Sequence, residues 1–134
     1  CFSGIQRKSY RISSSKMFSE STQHNFSTMH GMVEEALLLL KNHKIQQFGE
    51  LLTESWKLKR SLQSNVSTTE MDEIIEVAKR NGAWGAKIMG AGGGGFIGLI
   101  VPPERHSQVI DALPRLSFSK IMPDYDGLKL ISSY

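Results

Sequence analysis

From residue 26 onwards the apolar positions fall into helical stripes, change to a two-residue period, and return to a helical spacing. Phe26, Met29, Met32/Val33, Ala36/Leu37 and Leu40 predict a core helix running to about Asn42. Ile45, Phe48, Leu51/Leu52, Leu58 and Leu62 predict a second, and the short Asn42-His43-Lys44 link favours antiparallel packing of the two. Ser67-Thr68-Thr69-Glu70 has the form of a capping box, in which the Ser67 oxygen accepts from an early helical N–H and Glu70 reaches back. Met71, Ile74, Ile75 and Ala78 then give a third helix its buried side, and Asn81-Gly82 its left-handed stop. Beyond it Trp84, Ala86 and Ile88 alternate with Gly85, Lys87 and Met89, and Phe96 to Val101 is apolar throughout, so that two strands enclose a run of glycines. Pro102-Pro103-Glu104 opens a further helix, with Val109, Ile110 and Leu113 facing inward until Pro114. Phe118 to Met122 and Leu128 to Ile131 flank Pro123–Gly127 as a final hairpin. Ahead of all these, Ile5 to Met17 predicts an initial helix, with Ser13 to Thr22 serine-rich enough to loosen its end.

Helical runs and hairpins are thus segregated along the chain, which predicts an α+β fold with a mainly antiparallel sheet. A ferredoxin-like core with added helices, as one domain over residues 1–134, is the expected architecture.

Composition narrows the function classes. The 134 residues are 40% hydrophobic and 22% charged, as in an ordinary folded domain, and no apolar run approaches the ~20 residues a membrane span needs. A cytoplasmic location with no membrane partner is expected, and the lone Cys1 fits a reducing compartment. The net charge of +3 is mild, and FIGLIV lacks the interleaved basic and aromatic residues of an RNA-binding sheet, so no nucleic-acid partner is expected. The basic positions Arg7, Lys8, Arg11 and Lys16 read as a solvated helix face or, less commonly, as a local stretch that meets phosphate or nucleic acid. His24, His30, His43 and His106 have no metal-ligand spacing, and Asp124 and Asp126 read as turn residues, so no catalytic or metal-binding residue is expected.

Two features carry chemistry. Gly90-Ala91-Gly92-Gly93-Gly94-Gly95 formally satisfies a dinucleotide fingerprint but opens a strand where that motif requires a helix. A tight hairpin needs two loop residues, and each glycine loses more backbone entropy on folding than other residues do, so the run reads as close approach to a phosphate or a partner loop. On the second helix, Ser55 and Lys59 project into the face made by Ile45, Phe48, Leu52 and Leu62, whereas Lys57 and Arg60 fall outside it. Lys59 therefore either serves an anion or packs its stem and snorkels past Trp56.

GAWGAKIMGAGGGGFIGLIV (Gly82 to Val101) resembles the C-terminal glycine motif of the GHMP small-molecule kinases. ESWKLKRSL (Glu54 to Leu62), the Val66-Ser67 segment and SGIQRKS (Ser3 to Ser9) resemble the heptose phosphate kinases of that superfamily, and Met89 departs from it where many members carry Ser or Thr. The resemblance implies transfer of the γ-phosphoryl group of ATP, with Mg²⁺, to a sugar phosphate, Gly90 to Gly95 lying near the triphosphate. Through the WKLKR block it brings Arg60 beside Lys59 and Ser55 as a candidate for substrate binding. It also implies an N-terminal kinase domain, absent from these residues, as the principal partner and the home of the catalytic acid and most of the ATP and Mg²⁺ contacts. The chain alone is then expected to be inactive, and a homodimer stays open. A fucokinase-like or galactokinase-like enzyme and a stand-alone ferredoxin-like ligand-binding module are the alternatives.

Overall fold

The computed structural model describes residues 1–5, 20–62, 67–90 and 94–122. The helix expected over Ile5 to Met17, the basic stretch, the tip of the glycine run at Ala91 to Gly93 and the hairpin turn at Pro123–Gly127 lie outside these residues.

Helix α1 (Glu20–Lys41) starts earlier than its apolar stripe, and α2 (Ile45–Leu62) follows it after a tight turn in which His43 adopts φ +56°. The two pack antiparallel, with Asn25 Nδ2 donating to Ser61 Oγ at 3.0 Å. The expectation that the α1 stripe is core is not met. Met29, Met32, Ala36 and Leu39 are half-buried against α2, while Phe26, Val33, Leu37, Leu38 and Leu40 are exposed, Val33 at 64%. The stripe is wider than the single helix it lies against, so only one side of it is covered.

Helix α2 also departs from its stripe. Its buried residues are Gly49, Thr53 and Trp56, and the larger aliphatic positions are half-buried or, at Ile45, exposed. This seam of small residues lets α2 lie close along strand β1 (Gly85–Ile88). A Cβ on Gly85 would stand 1.8 Å from Gly49 O, so the two backbones meet directly. Thr53 Oγ1 donates to Gly49 O and accepts from Ala86 N at 3.1 Å. That amide points away from the partner strand, so the hydroxyl satisfies a strand edge that would otherwise carry an orphan donor.

Strand β1 pairs antiparallel with β2 (Ile97–Ile100), Gly85 opposite Ile100 and Ile88 opposite Ile97. The sheet extends beyond this ladder. Ile97 N donates to Cys1 O and Ser3 N to Gly95 O, and Phe2 bridges both Phe96 and Ser117, all antiparallel. The strand expected at Phe118 to Met122 is not found, since the bridge to Phe2 falls on Ser117, one residue ahead of it, and the described residues that follow make no ladder.

Helix α3 (Thr69–Arg80) is capped by Thr68, whose Oγ1 accepts from Met71 N at 3.2 Å. The cap therefore falls one residue later than expected and is a plain N-cap, since Met71 stands at the third helical position, where a capping box needs Glu or Gln, and Ser67 Oγ donates instead to Asp72 Oδ1. A 3₁₀ turn (Pro103–Arg105) leads into α4 (His106–Ala112), which buries Val109 but leaves the expected inward residue Ile110 exposed. Met71, Ile74, Ile75 and Ala78 of α3 join Ala86, Ile88, Ile97, Val109, Leu113 and Trp56 in one core. The result is an α+β fold with an antiparallel sheet.

Candidate functional site at the base of the glycine loop

The loop between β1 and β2 is anchored on both flanks. Met89 N donates to Phe96 O, closing the hairpin, and Gly95 N donates to Ile5 O. The buried Ser3 adds a second clasp, donating from Oγ to Gly95 O at 2.7 Å beside its own backbone bond to the same carbonyl. Gly90 and Gly95 take φ of +72° and +86°, a left-handed backbone that glycine adopts without a Cβ penalty. Gly94 is required for another reason. A Cβ there would stand 2.7 Å from Ile5 O, so the space above this glycine is filled by the chain's own first residues.

At the β1 end of the loop, α2 delivers two of the residues singled out from the sequence. Helix and strand run in the same direction. Gly49 meets Gly85, Thr53 meets Ala86, Ser55 meets Lys87 and Lys59 meets Gly90. The pairing keeps step because ten helical residues and five strand residues each advance roughly 15 Å. Lys59 Nζ donates to Gly90 O at 2.5 Å and lies 6.0 Å from the centroid of the Trp56 ring, within reach of a cation–π contact. Burial, and secondarily the charge of Lys87, hold its pKa below the usual lysine range. Its head group, more than half exposed, is turned onto the first carbonyl of the loop.

Ser55 Oγ accepts from Lys87 Nζ at 3.0 Å. Arg60 points elsewhere, its Nη2 pairing with Asp72 Oδ2 at 2.7 Å, and Asp72 also accepts from Ser67, which ties the end of α2 to the start of α3. Any anion bound by Arg60 would have to share its guanidinium with Asp72.

The residue that sequence reasoning missed is Lys87. Its signal was present, since it is the one charged position in an otherwise small and apolar strand leading to the glycines. Among the described residues no three His, Cys, Asp or Glu side chains converge to hold a metal ion. An open concavity of about 720 Å³ lies at the opposite end of α2, lined by His43, Lys44, Trp84 and Pro103 among others. It is remote from the loop and brings none of the candidate residues together. No helix of the described residues is long and apolar enough to cross a membrane.

Residues 35–119 match the family described as GHMP kinases C terminal. The chain is 30% identical over 115 residues to the D-glycero-alpha-D-manno-heptose 7-phosphate kinase of Campylobacter jejuni, covering 84% of this chain and 34% of that protein. It is 38% identical over 66 residues to a mevalonate kinase of Methanocaldococcus jannaschii, 49% of this chain and 20% of that one. Among solved structures, L. major mevalonate kinase in complex with R-mevalonate matches with a TM-score of 0.75 at 21% identity, over 85% of this chain and 36% of that chain. The Methanococcus jannaschii mevalonate kinase gives 0.70 at 27% identity, over 85% and 34%. The chain covers between a fifth and about a third of the length of these relatives. The strand–glycine loop–strand hairpin, the helices packed on it and the family match over most of the sequence lead to one conclusion: this chain belongs to the GHMP kinases and carries their C-terminal fold.

Proposed function

We propose that the protein carrying this chain is an ATP-dependent sugar kinase that transfers the γ-phosphoryl group to a heptose phosphate, this chain forming one wall of the cleft. The observation that carries the reading is Lys59, a half-buried residue whose ammonium is turned onto the first carbonyl of the glycine loop, within the WKLKR block. The similarity to the Campylobacter jejuni heptose 7-phosphate kinase over most of the chain supports the same acceptor.

Phosphoryl transfer needs the acceptor hydroxyl and the γ-phosphate held in line and the developing charge neutralised. Lys59, with the Ser55 hydroxyl one turn earlier, would hold the acceptor's existing phosphate. Glycine-loop amides would face the triphosphate. Gly95 N is already committed to Ile5 O, so these donors come from Gly90 to Gly94. Mg²⁺, brought in with ATP, would be held by ATP oxygens and by groups outside the described residues. The partner in this reading is an N-terminal kinase domain, the compartment is the cytoplasm, and the chain by itself turns over no ATP.

The test is a panel of acceptors offered to the full-length protein with ATP: heptose 7-phosphate, mevalonate, galactose and fucose. Preference for the heptose phosphate is expected. A galactokinase-like reading is favoured by 32% identity over 78 residues to the galactokinase of Dictyostelium discoideum, and preference for galactose would establish it instead.

A further inference from the structure

The glycine loop is flanked by a second lysine, on the strand that leads into it. Lys87 shares its face of β1 with Gly85 and Met89, away from the core-facing Ala86 and Ile88. Its ammonium is half-buried and reaches Ser55 on α2, one helical turn before Lys59. The Lys87 bond to Ser55 and the Lys59 bond to Gly90 place both ammonium groups on the seam between α2 and β1 at the base of the loop, where the charge of Lys87 also bears on Lys59. Yet the ion pairs formed among the described residues are Lys57 with Glu54 and Arg60 with Asp72, and neither Lys59 nor Lys87 has a carboxylate there. Two like charges held at one place, with no carboxylate on either among the described residues, repel each other, and a bound anion would relieve that repulsion.

We propose that Lys59 and Lys87, with the Ser55 hydroxyl, form a binding site for one phosphate dianion. Charge and donor count agree with that ligand. Each ammonium has three N–H donors and spends one, Lys59 on Gly90 O and Lys87 on Ser55 Oγ. Four N–H groups remain, and Ser55, which accepts from Lys87, keeps its own proton to give. The terminal oxygens of a phosphate monoester accept this set, and its two negative charges match the two ammonium groups. Trp56, packed beneath Lys59, keeps water from one side of the site. Lys87 is in this view a binding residue, and Ser55 both binds and positions it. Assigning the phosphate to the acceptor and not to ATP rests on the heptose phosphate reading; the anion site itself does not.

The experiment measures binding by the full-length protein of three probes: inorganic phosphate, heptose 7-phosphate, and Mg²⁺-ATP. Each is titrated against the wild type and against Lys87→Met, Lys87→Arg, Lys59→Met and the double Met variant, with circular dichroism to confirm folding. Lys87→Met is expected to raise Kd for heptose 7-phosphate at least tenfold and to leave ATP within twofold, with Lys87→Arg recovering most of the loss. The double variant should lose less than the product of the two single losses, because both cations act on one ligand. A loss confined to ATP would overturn the acceptor assignment, and unchanged affinity for all three probes in folded Lys87→Met would overturn the site. Phosphate affinity that depends on both lysines, in a protein that does not phosphorylate heptose 7-phosphate, would support the site and refute the heptose reading. Ser55→Ala covers the remaining case: if Lys87 only braces α2 against β1, Ser55→Ala and Lys87→Met lower Tm alike and change no Kd, which also overturns the site.

Discussion

Gly49 and Gly85 meet backbone to backbone, so closely that a Cβ on Gly85 would fall 1.8 Å from the Gly49 carbonyl oxygen. The reverse contact is milder, since a Cβ on Gly49 would stand 3.1 Å from Gly85 N and from Trp84. Gly85→Ala should therefore force α2 off β1 and abolish cooperative thermal unfolding. Gly49→Ala should be far better tolerated, because alanine returns about 1 kcal/mol of helix propensity against the tighter contact. Melting curves of the two variants check the asymmetry.

Thr53 is the acceptor for the outward-facing amide of Ala86. Thr53→Val keeps the shape but leaves a buried N–H without a partner, at an expected cost of about 1–3 kcal/mol. Thr53→Ser should recover most of it. Urea unfolding with unchanged slope is the measurement, since a shifted midpoint at constant slope isolates stability.

Gly94 was expected to leave room for a phosphate or a partner's loop, and the structure fills that room with Ile5. Gly94→Val should therefore displace the Ile5 segment and weaken the clasp of Ser3 on Gly95, lowering Tm as well as kcat/KM of the full-length enzyme. Loss of activity at unchanged Tm would mean that the side chain meets ligand and not Ile5.

Lys59 is held below the usual lysine range by burial first and by Lys87 second. Its folded form binds the proton less tightly than the unfolded chain does, so the charged state opposes folding. That penalty is fully present below the lowered pKa and disappears as pH rises to the unfolded value, about 10.5. Lys59→Met should be at least as stable as the wild type at pH 7, and the difference should shrink towards pH 10.5. The head group is more than half exposed, so screening keeps the effect small. A Lys59→Met variant that is less stable than the wild type at every pH would assign the bond to Gly90 O a structural role that outweighs the charge.

What the sequence made legible was local. The alternation of Ala86 and Ile88 with Lys87, the face of α3 through Met71, Ile74, Ile75 and Ala78, and the glycine loop between two strands could each be read from spacing alone, and each is found. What it hid was non-local. The α2 seam is lined by Gly49 and Thr53, which no count of apolar residues selects, because their value is the close approach they permit to a strand more than thirty residues later. The same concealment applies to Lys87, whose neighbour Ser55 lies on another element. Ile110 and the outer side of α1 were misread for the converse reason, since an apolar residue is not buried unless something is there to cover it.

The clasp on the glycine loop has a kinetic consequence. The bonds that fix its β2 flank join residues 92 and 96 positions apart, Ser3 to Gly95 and Cys1 to Ile97. The hairpin of β1 and β2 closes over a short loop and can form early, whereas Ser3 can reach Gly95 only after a long stretch of chain has been drawn together, with the entropy of that closure unpaid until then. The loop should accordingly be among the last parts to reach its final geometry and among the first to lose it. In native-state hydrogen exchange, Gly95 N–H should open at lower free energy than Met89 N–H, although both belong to the same turn.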